Sequence, residues 1–106
     1  MWNVSNTALT MVEGDFGLAL PFTVDGITPG EGDALQFVFK DEKNGRTLLT
    51  KTYDDISSGV VPLMFSESES ELFPVGRYVY SLDWYHDGRF MCNLITSATL
   101  KVVDKA

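Results

Sequence analysis

The sequence predicts an all-β fold, an antiparallel sandwich of about seven strands, on three observations. Apolar residues recur with a period of two, as at Tyr78, Tyr80, Leu82 and Trp84, and nowhere with a helical period. Turn signals built on Gly, Pro and Asn recur at roughly every dozen residues. With 106 residues, 44% of them hydrophobic, the chain can bury a single core without a disulfide or metal staple. A small closed barrel fits the same pattern and stays open as the alternative.

Taken in order, residues 1–7 form an unpatterned arm, residues 8–103 a single domain and residues 104–106 a tail. Residues 8–12 make a short first strand, which Glu13-Gly14-Asp15 ends. Phe16, Leu18, Leu20, Phe22 and Val24 then occupy alternate positions of a nine-residue strand with Gly17, Ala19, Pro21 and Thr23 on its other face. Pro21 has no amide hydrogen for a ladder, so it belongs at an edge or a bulge. Residues 25–33 are a Gly-rich crossing loop.

Residues 34–40 form the next strand, with Leu35, Phe37 and Phe39 inward, and residues 46–53 return beside it. A three-residue loop Lys43-Asn44-Gly45, with Gly45 left-handed, sets Phe39 opposite Leu49; a two-residue loop would set it against Thr50 and exchange the faces. The same argument at His86-Asp87-Gly88 pairs Trp84 with Phe90, Leu82 with Cys92 and Tyr80 with Leu94. Residues 54–58 connect to a strand over 59–66 with Val61, Leu63 and Phe65 inward, and Pro62 again marks an edge or bulge. Residues 66–71 read as an acidic loop. Pro74 and Gly76 turn the chain into the strongly alternating strand, and residues 89–103 close the fold with Ala98, Leu100 and Val102 inward and a bend near Thr96-Ser97.

A net charge of -7, from 15 acidic and 8 basic residues, repels phosphate backbones and anionic lipid, so neither nucleic acid nor a membrane is an expected partner. The single Cys92 cannot form an internal disulfide and sits on the inward face. No basic segment followed by an apolar run opens the sequence, so synthesis in the cytoplasm is expected. The match of Asn3-Val4-Ser5 to a glycosylation sequon is then a coincidence. His86, the one histidine, reads as a solvated turn residue, and no catalytic constellation stands beside it. No cofactor and no metal is expected; the acidic run 66–71 lacks calcium-loop spacing. Trp2, Tyr53 and Tyr85 are not assigned to the core and are the candidate partner-contact residues, Trp2 either as an anchor for a neighbouring subunit or packed back onto its own sandwich.

A Tyr two residues after Gly76 resembles the tyrosine corner of immunoglobulin-like sandwiches, whose hydroxyl bonds to upstream backbone. Together with Glu13-Gly14-Asp15, the strand Leu35-Gln36-Phe37-Val38-Phe39-Lys40, the run Pro74-Val75-Gly76-Arg77-Tyr78-Val79-Tyr80 and Ala98-Thr99-Leu100-Lys101-Val102-Val103, it makes residues 8–103 similar to the small immunoglobulin-like domains of bacteriophage tail and baseplate proteins, such as the N-terminal domain of baseplate upper proteins. The resemblance implies a non-enzymatic structural module of a phage or prophage virion. Its partners would be other tail proteins or further copies of itself. Because no fibre or receptor-binding domain follows the sandwich, it implies either a separate small tail protein or a module of a longer one. A surface carbohydrate-binding sandwich is the alternative, and it requires Trp2, Tyr53 or Tyr85 exposed together near polar loops.

Overall fold

Two sheets enclose one aromatic core. The computed structural model describes residues 3–5, 8–17, 20–23, 32–54 and 60–104. Among them, β1 (Asn3–Ser5), β2 (Ala8–Val12), β3 (Leu20–Thr23), β4 (Asp33–Asp41), β5 (Thr47–Tyr53), β6 (Val60–Leu63), the one-turn helix α1 (Glu67–Ser70), β7 (Gly76–His86) and β8 (Arg89–Val103) follow in chain order. A six-stranded sheet runs β1-β2-β8-β7-β4-β5, and β3 and β6 form the second, smaller sheet. The fold is thus all-β and sandwich-like, with eight described strands in place of about seven. Trp2, Leu18, Ala19, Val24, the crossing loop through Glu31, the end of the 54–58 connection and the last two residues lie outside the described residues.

Not every ladder is antiparallel, which corrects the expectation. β2 runs parallel to β8, pairing Leu9 with Leu100 and Val12 with Val103, and the Glu13 amide extends the contact to Val103 O at 2.9 Å. Hairpin signals govern only strands adjacent in the chain; these two are joined through the rest of the fold, which permits either direction. Residues 3–5 are also not free of the sheet, since Asn3, Val4 and Ser5 pair with Thr10, Leu9 and Ala8.

The β4–β5 hairpin has the expected register from Phe39 outward, but not the expected turn: Lys40 pairs with Thr47 and the Asp41 amide bonds to Arg46 O, so the turn is the four residues Glu42-Lys43-Asn44-Gly45 and Leu48 is a bulge on β5. Phe39 faces Leu49, Gly45 has φ +69°, and its amide bonds to Asp41 O while Asn44 Oδ1 accepts from the Arg46 amide. The β7–β8 hairpin does not have its expected register. Asp87 at φ +50° and Gly88 at φ +78° make a two-residue turn of the type I′ kind, whose twist suits the strands it joins, so His86 pairs with Arg89 and Tyr85 with Phe90. Three register shifts follow. Met91 and then Leu94 are extra residues on β8, and Thr96-Ser97 together oppose Ser81, so Trp84 pairs with Cys92, Leu82 with Ile95 and Tyr80 with Ala98. Bulges of this kind insert one residue and bend the strand. They return the even-numbered side chains of both strands to the core, where Tyr78, Tyr80, Leu82, Ala98, Leu100 and Val102 are all buried.

Two further segments depart from the expected pattern. Of the nine-residue strand expected over 16–24, the described residues show β3 and, at Phe16 and Gly17, no strand. Gly17 at φ +76° breaks the extended backbone ahead of β3, and Phe16 is 53% exposed instead of inward. Residues 66–71 are not a plain loop. Ser66 caps α1 through its hydroxyl, which accepts from the Glu69 amide, while the Glu69 carboxylate accepts from the Ser66 amide at 2.9 Å. That reciprocal pair is a capping box. Pro21 and Pro62 are register partners in the two-stranded sheet, where each strand keeps one unpaired edge among the described residues.

Side chains from both sheets meet in one cluster of Leu9, Met11, Leu35, Phe37, Phe39, Val61, Leu63, Phe65, Phe73 and the inward residues of β7 and β8. Phe39 and Phe65 pack edge-on at 5.3 Å, and Phe65 stacks on Phe73 at 5.1 Å. Edge-on and offset rings match the positive rim of one ring to the negative face of another. Tyr78 closes this end. Its ring meets Phe73 edge-on at 5.1 Å and its hydroxyl donates to Pro74 O at 2.6 Å, which is the tyrosine-corner bond the sequence suggested. Tyr78→Phe should keep the ring packing but orphan that carbonyl. A loss of about 1 kcal/mol in urea unfolding is expected, and no loss would show that the bond is immaterial.

Candidate functional site

The predicted contact residues do not share one surface. Tyr53 pairs in register with Leu35 and so faces the core side of the large sheet, where its ring meets Phe37 edge-on at 5.9 Å. Tyr85 pairs with Ala34, one position out of phase, and faces the opposite side. There its hydroxyl donates to Gln36 Oε1 at 3.4 Å, and Gln36 Nε2 donates to Thr52 Oγ1 at 3.3 Å. Tyr53 and Tyr85 therefore cannot form a common stacking platform, and Trp2 lies outside the described residues.

Tyr53 belongs instead to a seam that joins β5 to the segment after β6. Its hydroxyl accepts from the Met64 amide at 3.3 Å, and Lys51 Nζ bonds both to Met64 O and to Glu69 Oε1, the latter at 2.8 Å. Lys51 also lies over the rings of Tyr53 and Phe65 at 5.9 and 5.8 Å. A half-buried ammonium needs such partners to offset its lost hydration, and an inward lysine also keeps the exposed edge of β5 from pairing with other chains.

Burial alone would raise the Glu69 carboxyl. The hydrogen bonds from Lys51 and from the Ser66 amide, with the Lys51 charge, outweigh it and hold the group below its ordinary 4.5. A carboxylate with a depressed folded value stabilises the fold above its unfolded value and loses that contribution as pH falls through the folded one. The wild type should accordingly lose stability below about pH 4.5 more steeply than Glu69→Gln. Parallel acid-unfolding curves for the two proteins would refute the assignment.

His86 is less simply solvated than a hairpin tip suggests. Its Nδ1 lies 2.7 Å from Oδ1 of Asp33, which is buried at the start of β4, and its Nε2 lies 3.4 Å from Oδ2 of Asp87. The Asp87 amide bonds to Gly32 O at 2.8 Å. The pair fastens the hairpin to the entry of β4, directly across the Asp33–His86 register position. A histidine oriented by a carboxylate is half of a nucleophile-activating arrangement. Its other nitrogen meets a second carboxylate here, so the geometry describes a structural tie.

Large apolar side chains are exposed at both ends of the sandwich. At one end are Phe16, Met64, Leu72 and Val75, on segments that meet through the Gly17 amide on Phe65 O and the Val75 amide on Glu13 Oε2. At the other are Phe90 and Met91, beside a shallow groove of about 420 Å³ that His86, Asp87 and Arg89 complete. Sequence parity put Phe90 inward against Trp84. The two-residue turn places it outward, edge-on to Tyr85 at 5.8 Å. The Asp87-Gly88 dipeptide is the signal that marks this turn.

Among the described residues, no group of three or more His, Cys, Asp or Glu is placed to hold a metal ion, and no helix is long and apolar enough to cross a membrane. Comparisons with protein-family models, with curated proteins and with solved structures find no match to this chain.

Proposed function

We propose that this protein is a non-enzymatic structural module that acts through protein–protein contacts, within the tail or baseplate of a phage or prophage. The observation that carries the contact reading is the exposed apolar group at one end of the sandwich, where Phe16 is 53% and Val75 51% exposed beside Met64 and Leu72. Four large apolar side chains on adjoining loops, on a chain of net charge -7, are a costly surface for an isolated monomer and mark a place where another protein docks. The tail assignment rests on the resemblance of residues 8–103, which the tyrosine corner and the sandwich-like core support.

The sugar-binding alternative draws no support from Tyr53 and Tyr85, which lie on opposite faces of the large sheet. The test of the leading reading is co-sedimentation. A tagged copy expressed in the strain that encodes it, with prophage induction, should travel with purified tail particles, and Val75→Asp should reduce its share. A protein found only in the soluble fraction would count against the tail reading.

A further inference from the structure

The tip of the β7–β8 hairpin carries a small patch whose charges are complementary to themselves. Phe90 is 58% exposed and held edge-on by Tyr85, so it is already ordered, and Met91, the extra residue of the first bulge, stands beside it at 49% exposure. Asp87, with its side chain 72% exposed, precedes them by a few residues. Arg89 is exposed, and its side chain makes no hydrogen bond or ion pair among the described residues. An apolar centre flanked by one acid and one base has the composition of an isologous contact, in which residue i of one copy meets residue j of the other and the reverse.

We propose that this tip is a two-fold self-association site, at which the partner is a second copy of this chain. The proposal rests on the assembly-module reading above and names its partner. In the two-fold arrangement Phe90 and Met91 of both copies bury one another, and Arg89 of each copy meets Asp87 of the other, so both ion pairs form at once. Charge argues for a second copy. Two molecules of net charge -7 repel over most of their surfaces, whereas here one acid and one base cancel, so approach at this patch is the least opposed. Ordering costs little, because the Asp87-Gly88 turn, the Asp33–His86 tie and the Tyr85 ring already fix the tip.

The test is the molar mass of residues 1–106 by sedimentation equilibrium over a concentration series at low salt, with Arg89→Glu, Asp87→Lys and their equimolar mixture. Circular dichroism first verifies that each variant is folded, and Phe90→Ser serves as a charge-neutral third variant. The wild type should dimerise reversibly. Each charge reversal and Phe90→Ser should weaken dimerisation by about tenfold or more. The mixture should recover it as a heterodimer, because the two introduced charges then face each other, the two native charges do the same, and both repulsions disappear. The proposal is overturned by a wild type that stays monomeric throughout, by a dimer unaffected by all three substitutions, or by a mixture that recovers nothing. A monomer that still travels with tail particles would remove this site and leave the assembly reading standing.

Discussion

Replacing Phe39 by Ala is expected to destabilise the protein by about 3–5 kcal/mol, the range for removing a fully buried aromatic side chain. Phe39 has no solvent exposure, and it is in ring contact with Phe37, Phe65, Phe73 and Tyr80 at 5.3 to 6.1 Å. Those four rings come from β4, from the segment between β6 and α1, from the loop before β7, and from β7 itself. No single relaxation can close the gap left by the missing ring, because its walls belong to separate elements, two strands of the large sheet and the two segments that flank α1. Against a typical domain stability of about 5–15 kcal/mol, the variant should be partly unfolded at 37 °C. Urea denaturation followed by tryptophan fluorescence measures the loss. Thr50→Ala, on the exposed face of β5, provides the comparison and should cost less than about 1 kcal/mol. If Phe39→Ala cost no more than Thr50→Ala, the ring would not lie between the sheets.

That core was legible in the sequence because burial follows parity. Leu35, Phe37 and Phe39 alternate in β4, as do Val61, Leu63 and Phe65 after it and Tyr78, Tyr80 and Leu82 in β7, and all nine are buried. The β4–β5 pairing beyond Phe39 was legible too, although the turn behind it was not: four residues, Glu42 to Gly45 with Gly45 left-handed, and a bulge at Leu48 produce the pairing that a three-residue loop would have produced. The β7–β8 register was not legible, for a physical reason. Parity requires even positions inward on both strands, and the chain meets that requirement with a tight turn followed by bulges at Met91, Leu94 and Thr96-Ser97. Only the last of these carried a signal, the length of the closing strand. The exposure of Phe90 follows directly from this, so the residue on which the self-association site turns could not have been placed by alternation.

Longer-range ties were hidden for a different reason. Lys51 and Glu69 are eighteen residues apart, and nothing local to either announces the other. The capping box at Ser66 and Glu69 is the opposite case. A Ser followed three residues later by a Glu is a written signature, but an acidic, serine-rich stretch without apolar period looks like solvent-facing loop. The helix it starts is one turn long, and its residues serve mainly to deliver Glu69 to Lys51. The pairing of Asp33 with His86 likewise depends on β4 lying beside β7, a neighbour relation that strand patterns leave open.

The second large effect is expected at alkaline pH. Tyr80 is buried in the centre of the large sheet, and burial pushes its phenol up from 10 to about 12. The unfolded chain therefore releases this proton first, and the folded state resists ionisation because a phenolate would lose its hydration among Phe37, Phe39 and Ala98. The sign follows from linkage. A group whose folded value is raised contributes stability that is complete below its unfolded value and is lost as pH rises through the folded one. The window is thus from pH 10 to about 12, and a two-unit separation corresponds to about 3 kcal/mol once both states are ionised. Tyr78 is raised in the same direction, by burial first and then by the nearby charges of Asp41 and Glu13, so the wild-type curve contains both groups. Tyr80→Phe isolates the larger share. Unfolding free energies measured by urea between pH 8 and 12 should fall more steeply for the wild type than for Tyr80→Phe, and ultraviolet titration of the native protein should show one tyrosine that ionises only near pH 12. Equal slopes for the two proteins, or full tyrosinate absorbance by pH 11 without unfolding, would mean that Tyr80 is reached by water and that the sandwich is open at its centre.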